Sequence, residues 1–280
     1  MRELLRLAGL LLLLGLTMIA SVVIVPFLGF TPQPVSSSST AFQTAAGNAL
    51  TLLISFGGAG FLYFILMGGR NSWSLFRISH LSWSVYGAVA IFMLGLFLVL
   101  PWLGLDEESF SLPASLQKWE RLLEEQEARI ELLMTSLIQH GSLFWLILFM
   151  AVAPGIAEEL FFRGALQTQL RRLMNPHLAI WLTGLLFSAI HFQVYGFIPR
   201  ALLGIVMGYL THYSGSLVPA MWAHFLNNAY ATITAYIGLH LLNRPEWIDS
   251  TYRPPFWIAL IGVAIASATA VWLYRRLKSA

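Results

Sequence analysis

The chain reads as a series of long apolar runs joined by short polar connections. Residues Leu7 to Leu28 form an apolar run of 22 after Met-Arg-Glu-Leu-Leu-Arg. A helix rises about 1.5 Å per residue, so this run can cross a hydrocarbon core of about 30 Å. It is longer than the apolar part of a signal peptide and lacks a convincing small-x-small cleavage site, so it is expected to be retained as a first span. A Pro- and Ser-rich loop, Thr31 to Thr40, follows. Further spans are expected near Asn48 to Met67 and Leu81 to Leu103, joined by a basic loop with Arg70 and Arg77. In the second half the pattern predicts spans near Ser142 to Phe162, His177 to Phe192, Phe197 to Tyr213, Leu217 to Leu239 and Phe256 to Tyr274. The predicted fold class is all-α: a polytopic transmembrane bundle of about eight helices.

One stretch breaks this pattern. From Pro113 to about Ile138, Leu116, Trp119, Leu123, Ile130, Leu133 and Leu137 recur at three- and four-residue spacing. Arg121 with Glu125, and Glu125 with Arg129, stand four apart on the same stretch, as helical ion pairs do. One amphipathic extramembrane helix is therefore expected, lying on the bilayer or the bundle, with its acidic run as a solvated face. The chain divides into N-terminal transmembrane helices (1–105), an acidic amphipathic insertion (106–141), a polar-studded helical core (142–240) and a C-terminal transmembrane helix with a basic tail (241–280).

Composition agrees with the pattern. The chain is 58% hydrophobic and 10% charged, with mean hydropathy +0.72, outside the range of soluble globular domains. It has no cysteine, which excludes disulfides, thiolate metal sites and cysteine nucleophiles. The net charge of +3 conceals an asymmetry. Eight of the thirteen acids lie between Asp106 and Glu131, opposed only by Lys118, Arg121 and Arg129, so the insertion carries −5 and the remainder +8. That basic remainder is mostly membrane-flanking, and no nucleic-acid partner is expected. With a cytoplasmic N-terminus, Arg2, Arg6, Arg70, Arg77, Arg171, Arg172, Arg275, Arg276 and Lys278 lie on the cytoplasmic side. The other side then holds Lys118, Arg121, Arg129, Arg244 and Arg253, most of them in the insertion. An excess of Lys and Arg marks the cytoplasmic side, so both termini are expected there, in a bacterial inner membrane.

Few ionisable groups fall within the spans or at their rims: Glu158, Glu159, Arg163, His191, Arg200 and His224, with His212 and His240 more peripheral. A charge at bilayer depth costs about 2.5 to 3.5 kcal/mol on insertion scales, so such groups point to function. Glu159 and Arg163 are four apart and can pair, which neutralises one carboxylate. Glu158 is rotated by about 100° and has no partner on its own helix, which suits a general base or acid. His191 ends Phe187-Ser-Ala-Ile-His191, with Phe187 on the same helical face. His224 and Asn228 again stand four apart, whereas Asn227 points elsewhere and is read as structural. In lipid these three polar faces must converge on one another or on a water-filled cavity. One carboxylate, two imidazoles and an amide are parts suited to hydrolysis: a base or ligand set to activate water, and donors to stabilise an oxyanion. Arg200 is placed to hold a substrate carboxylate at the rim, or to snorkel to the interface. Gly204 and Gly208 form a small-xxx-small packing face.

Glu158-Glu159 with Arg163, Phe187 with His191, and His224 with Asn228 resemble, in order and on separate spans, the motifs of the CPBP (Abi) family of intramembrane proteases. That family includes the CAAX prenyl endopeptidases and bacterial relatives linked to bacteriocin processing and self-immunity. The resemblance covers Ala153 to Tyr230. It implies an endopeptidase acting on a membrane-embedded, membrane-associated or lipidated peptide or protein. It further implies that Glu158 with His191 activates water, that His224 and Asn228 stabilise the oxyanion, and that Glu159 and Arg163 orient. The family is commonly labelled as metalloproteases, and a metal-independent glutamate mechanism has also been argued for it. Zn2+ or another divalent ion on Glu158, His191 and His224, or no metal, are both compatible with the sequence. The soluble His-Glu-x-x-His motif is absent. Two other functions use the same residues: a non-catalytic membrane scaffold or immunity protein, and a proton-coupled transporter, for which no internal repeat is evident. Oligomeric state and substrate identity are not encoded in these motifs.

Overall fold

The computed structural model describes residues 1–31, 33–68, 74–75, 81–104, 113, 115, 117–242 and 253–278. Arg70, Arg77, Asp106, Glu107, Glu108, Leu116 and Arg244 lie outside the described residues. The described residues are helical throughout, without a strand. We number nine rods in chain order: α1 Arg2–Phe27, α2 Ser38–Gly68, α3 Trp83–Leu103, α4 Gln117–His140, α5 Leu143–Leu170, α6 Pro176–Ala189, α7 Phe197–Ser214, α8 Val218–His240 and α9 Phe256–Lys278. Eight are apolar and α4 is amphipathic, as the hydropathy pattern predicts. Among the described residues, only α1, α2, α3, α5 and α9 combine the length and apolarity of a membrane span. Fourteen residues of α6 reach about 21 Å, short of a hydrocarbon core. The helices α7 and α8 are less apolar because they carry Arg200, His224 and Asn228.

Side-chain exposure separates lipid-facing from protein-facing surface. On α1 the buried residues are Leu10, Thr17, Ser21 and Val25, a single stripe. Leu11, Leu12, Leu16, Ile19, Val22 and Val23 on the same helix are more than half exposed. Apolar exposure on this scale is incompatible with water and suits acyl chains, so the chain is an integral membrane protein.

Several predicted boundaries move. The expected loop to Thr40 becomes helix from Ser38, because Ser37 accepts from the Thr40 amide while the Thr40 hydroxyl accepts from the Ser37 amide, closing a capping box. The predicted end of the fifth rod at Phe162 extends to Leu170, because Arg163, Gln167 and Gln169 all find partners inside the bundle. On α4 the inward line is Leu123, Glu127, Ile130, Leu133 and Leu137, whereas Trp119 is 62% exposed and leaves the stripe read from the sequence. Neither Arg121/Glu125 nor Glu125/Arg129 closes to an ion pair among the described residues. At that exposure, water competes for both charges.

Close helix contacts occur where side chains are small. An added Cβ at Gly60 of α2 would stand 2.7 Å from the carbonyl carbon of Leu160 on α5, and one at Gly204 of α7 would stand 2.9 Å from Gly184 Cα on α6. The small-xxx-small face of α7 therefore does serve packing. Because backbone cannot yield as a side chain can, Gly60→Ala is expected to destabilise the bundle by about 1 to 3 kcal/mol. Gly87→Ala, whose Cβ would meet nothing within 4 Å, should be silent. Unfolding midpoints of the two variants in detergent check this, and equal midpoints would contradict the contact.

Candidate active site

The site forms where α5, the end of α6, the start of α7 and the first half of α8 meet. Glu158 and Glu159 lie midway along α5, just before a π-helical stretch, Leu160–Gln167, that contains Arg163. Such stretches are often found at functional sites. The wider turn leaves the Arg163 carbonyl to accept from Thr168 Oγ1 at 3.2 Å.

Glu159 and Arg163 are fully buried, and the predicted pair forms, with Arg163 Nη1 2.6 Å from Glu159 Oε1. Arg163 Nη2 donates to the carbonyl of Gly204 at 2.9 Å, and one turn on Gln167 Nε2 donates to that of Gly208 at 3.1 Å. The glycines of α7 thus bring their carbonyls within reach of polar side chains on α5. The Phe187 ring lies 4.7 Å from Arg163 Cζ, a cation–π contact. The rings of His191 and His224 stand 5.2 and 5.7 Å from it. Phe187 is therefore the apolar hub between the ion pair and both imidazoles.

His224 adds a contact that local spacing does not reveal. Its Nδ1 stands 2.8 Å from Glu159 Oε1, the oxygen that also holds Arg163. A carboxylate only accepts, so the imidazole donates through Nδ1, and its Nε2 faces Glu158 Oε2 at 3.8 Å, beyond hydrogen-bond length. Glu159 therefore orients an imidazole as well as pairing with Arg163.

His191 lies two residues past the end of α6, in a turn, and not on the helix read from the sequence. Its Nδ1 still reaches back to the Phe187 carbonyl at 2.8 Å. Because that oxygen can only accept, the proton is on Nδ1 and Nε2 carries the lone pair. Phe192, the next residue, has φ 54, a left-handed conformation rare for a bulky side chain, which ends the helix abruptly beside the imidazole.

Glu158 is 6% exposed, and its Oε2 accepts no hydrogen bond from the protein. No hydrogen bond or ion pair joins it to His191 among the described residues. Asn227 donates from Nδ2 to Asn228 Oδ1 at 3.2 Å, leaving the Asn228 amide nitrogen free to donate elsewhere. The residue read as merely structural thus orients its neighbour. Arg200 Nη2 donates to Gln193 Oε1 at 2.7 Å, and its charge lies within Coulombic reach of Glu158. His212 and His240 stay outside: the His212 ring lies 5.0 Å from that of Tyr213 in a tilted contact, and His240 reaches the Ile138 carbonyl at 2.9 Å.

Every one of these site residues lies in a single stretch of known kind. Residues 140–230 match the type II CAAX prenyl endopeptidase Rce1-like family. The three motifs that carry the resemblance all fall within this matched segment, about a third of the chain. The chain is also 32% identical over 87 residues to the uncharacterized protein YpbD of Bacillus subtilis (strain 168). That alignment spans 30% of this chain and 42% of its relative. No solved structure matches. The helices α1 to α3 and α9 lie outside the Rce1-like segment, as does α4 except for its last residue.

The fit of a metal can be tested on the donors. Among the described residues no three His, Asp or Glu side chains stand close enough together to share an ion. Glu158, His191 and His224 as placed do not form the three-ligand set that a catalytic zinc requires.

Proposed function

We propose that the chain is an intramembrane endopeptidase that hydrolyses a peptide bond of a membrane-associated or lipidated peptide or protein. The observation that carries this reading is the shielded Glu158 Oε2, without a hydrogen bond from the protein, beside an imidazole whose opposite nitrogen is fixed on Glu159. Glu158 takes a proton from water, and the water oxygen attacks the scissile carbonyl carbon. His191, its Nδ1–H tied to Phe187, presents the Nε2 lone pair that orients this water. The oxyanion accepts hydrogen bonds from the free Asn228 amide and from Nε2–H of protonated His224, whose charge Glu159 stabilises. Collapse of the tetrahedral intermediate breaks the C–N bond, and the proton held by Glu158 passes to the leaving amine. Glu159 and Arg163 hold the frame. Side chains alone activate the water and stabilise the intermediate.

We further infer that the protein sits in a bacterial inner membrane with both termini cytoplasmic, which the excess of Lys and Arg supports. Asn228→Ala is expected to lower kcat by about 10² to 10³, the usual loss of one oxyanion donor, with little change in KM. The rate is expected to withstand chelation by EDTA. Purified protein in nanodiscs, assayed on peptides recovered from the native membrane, provides both tests. Full activity of both Asn228→Ala and His224→Ala in cells would favour a non-catalytic scaffold, and loss on chelation restored by zinc would overturn the metal-free mechanism.

A further inference from the structure

At the mouth of the site, Arg200 is held in an unusual way. Its guanidinium lies over Gly196, where an added Cβ would stand 2.7 Å from Nη2, and Gln193 fixes that same nitrogen at 2.7 Å. The other nitrogen, Nη1, is shielded from solvent and has no hydrogen-bond partner. A fixed, shielded guanidinium edge whose Nη1 finds no acceptor in the protein is a receptor for a planar anion. Two carboxylates lie within its Coulombic reach, Glu158 in the site and Glu127 on α4.

Glu127 is itself out of place. It sits on the half-buried inward line of α4, between Leu123 and Ile130, where the apolar spacing calls for a hydrophobic residue. The buried residues of α4 are Leu137 and Ile138, both in its last turn. Its earlier turns reach the mouth through polar contacts, with Tyr195, between α6 and α7, donating to Glu124 Oε1 at 3.2 Å. One end of α4 is anchored by packing and the other is tethered over the mouth. Arg200 lies inside the Rce1-like segment and Glu127 outside it, so this pairing combines a residue of the matched core with one from a helix that the match does not cover.

We propose that Arg200 selects substrates bearing a carboxylate near the scissile bond, and that Glu127 occupies its field in the empty site, so that an arriving carboxylate displaces α4 from the mouth. This rests on the hydrolytic reading for its substrate, but its binding step does not need turnover. The carboxylate is either the substrate's C-terminus or an acidic side chain, since both present the same planar anion.

The test uses the full chain in nanodiscs, in an Asn228→Ala background that slows turnover. The probes are an N-acetylated apolar pentapeptide as the free acid, the same peptide as the C-terminal amide, and the amide with one internal glutamate. The free acid is expected to bind about tenfold tighter than the plain amide, as one charge-assisted hydrogen bond allows. The internal-glutamate peptide shows which source is preferred. Arg200→Gln should abolish the discrimination, Arg200→Lys should restore part of it, and Glu127→Gln should tighten acid binding without affecting the amide. The chain has no native cysteine, so spin labels on Glu125→Cys and Ile198→Cys report the distance from α4 to the mouth. That distance should lengthen or broaden with the acid peptide, and in Glu127→Gln or Arg200→Gln without peptide. Equal affinities for acid and amide would overturn the selection, and an unchanged label distance in both variants would overturn the displacement. Acid-selective binding with no cleavage of the same peptides or of native membrane peptides by the wild-type chain would instead defeat the peptidase reading and leave this one standing.

Discussion

Glu158→Gln is expected to abolish peptide-bond hydrolysis while leaving the bundle folded. Removing a positioned general base costs about 10² to 10⁴ in rate, and glutamine has the shape of the carboxylate without its basicity. The fold should not suffer, because Glu158 Oε2 accepts no hydrogen bond from the protein and His224 Nε2 stays 3.8 Å away, beyond hydrogen-bond length. A neutral amide is also less costly to bury than a charge. Mass spectrometry of membrane peptides from cells making the wild-type or Glu158→Gln protein reads the loss directly, and thermal unfolding of both proteins reads the fold. Cleavage products at wild-type level from a folded Glu158→Gln protein would sink the proposed mechanism.

Arg163→Met carries the opposite signature, a loss of fold. The guanidinium is completely buried, holds Glu159 at 2.6 Å and ties α5 to α7 through Gly204. Removing one member of a buried pair leaves the other charge uncompensated, which costs about 3 to 5 kcal/mol. Glu159 would keep only its hydrogen bond from His224 Nδ1, so the imidazole would be drawn into a structural role and activity would fall as well. The double variant Glu159→Gln/Arg163→Met removes both charges and should recover most of the stability without restoring activity, since His224 then loses its orienting carboxylate. Unfolding midpoints of the wild-type, single and double variants measure this. If the single variant is as stable as the wild-type, the pair does not pin the frame.

The sequence carried the ion pair and the succession of spans because both rest on local spacing. Glu159 and Arg163 are four apart, and a chain with so few charged residues makes its apolar runs plain. The Glu159–His224 contact joins residues 65 apart in sequence, and no periodicity encodes a bond between two helices. His191 misled in detail, because Phe-x-x-x-His reads as a helical face. The chain instead turns after Ala189, and the imidazole keeps its link to the carbonyl four residues back. Asn227 was discounted on helical geometry, which shows where a side chain points but not which neighbour it orients. The gap at Glu127 is visible in the apolar stripe of α4, yet a charge interrupting such a stripe has meaning only once Arg200 is known to lie within its electrostatic reach. Rods run past their apolar stretches wherever polar residues find partners within the fold, as at Ser37 with Thr40 and along Arg163 to Gln169.

The π-helical stretch on α5 also bears on how the site can be lost in evolution. A π turn amounts to one residue inserted into an α-helix. Substitutions that let this stretch wind as regular α-helix, with no residue lost, would leave the rod continuous and still long and apolar enough to cross a bilayer. The extra residue would no longer be absorbed by the wide turn, so the segment before the stretch would be rotated by about 100° relative to the segment after it. Glu159, before the stretch, and Gln169, after it, could no longer face His224 and Tyr63 together. Such a descendant would insert normally and keep its hydropathy profile and both glutamates while losing the geometry of its site. In this architecture, helix register separates an enzyme from an inert membrane protein of almost the same sequence.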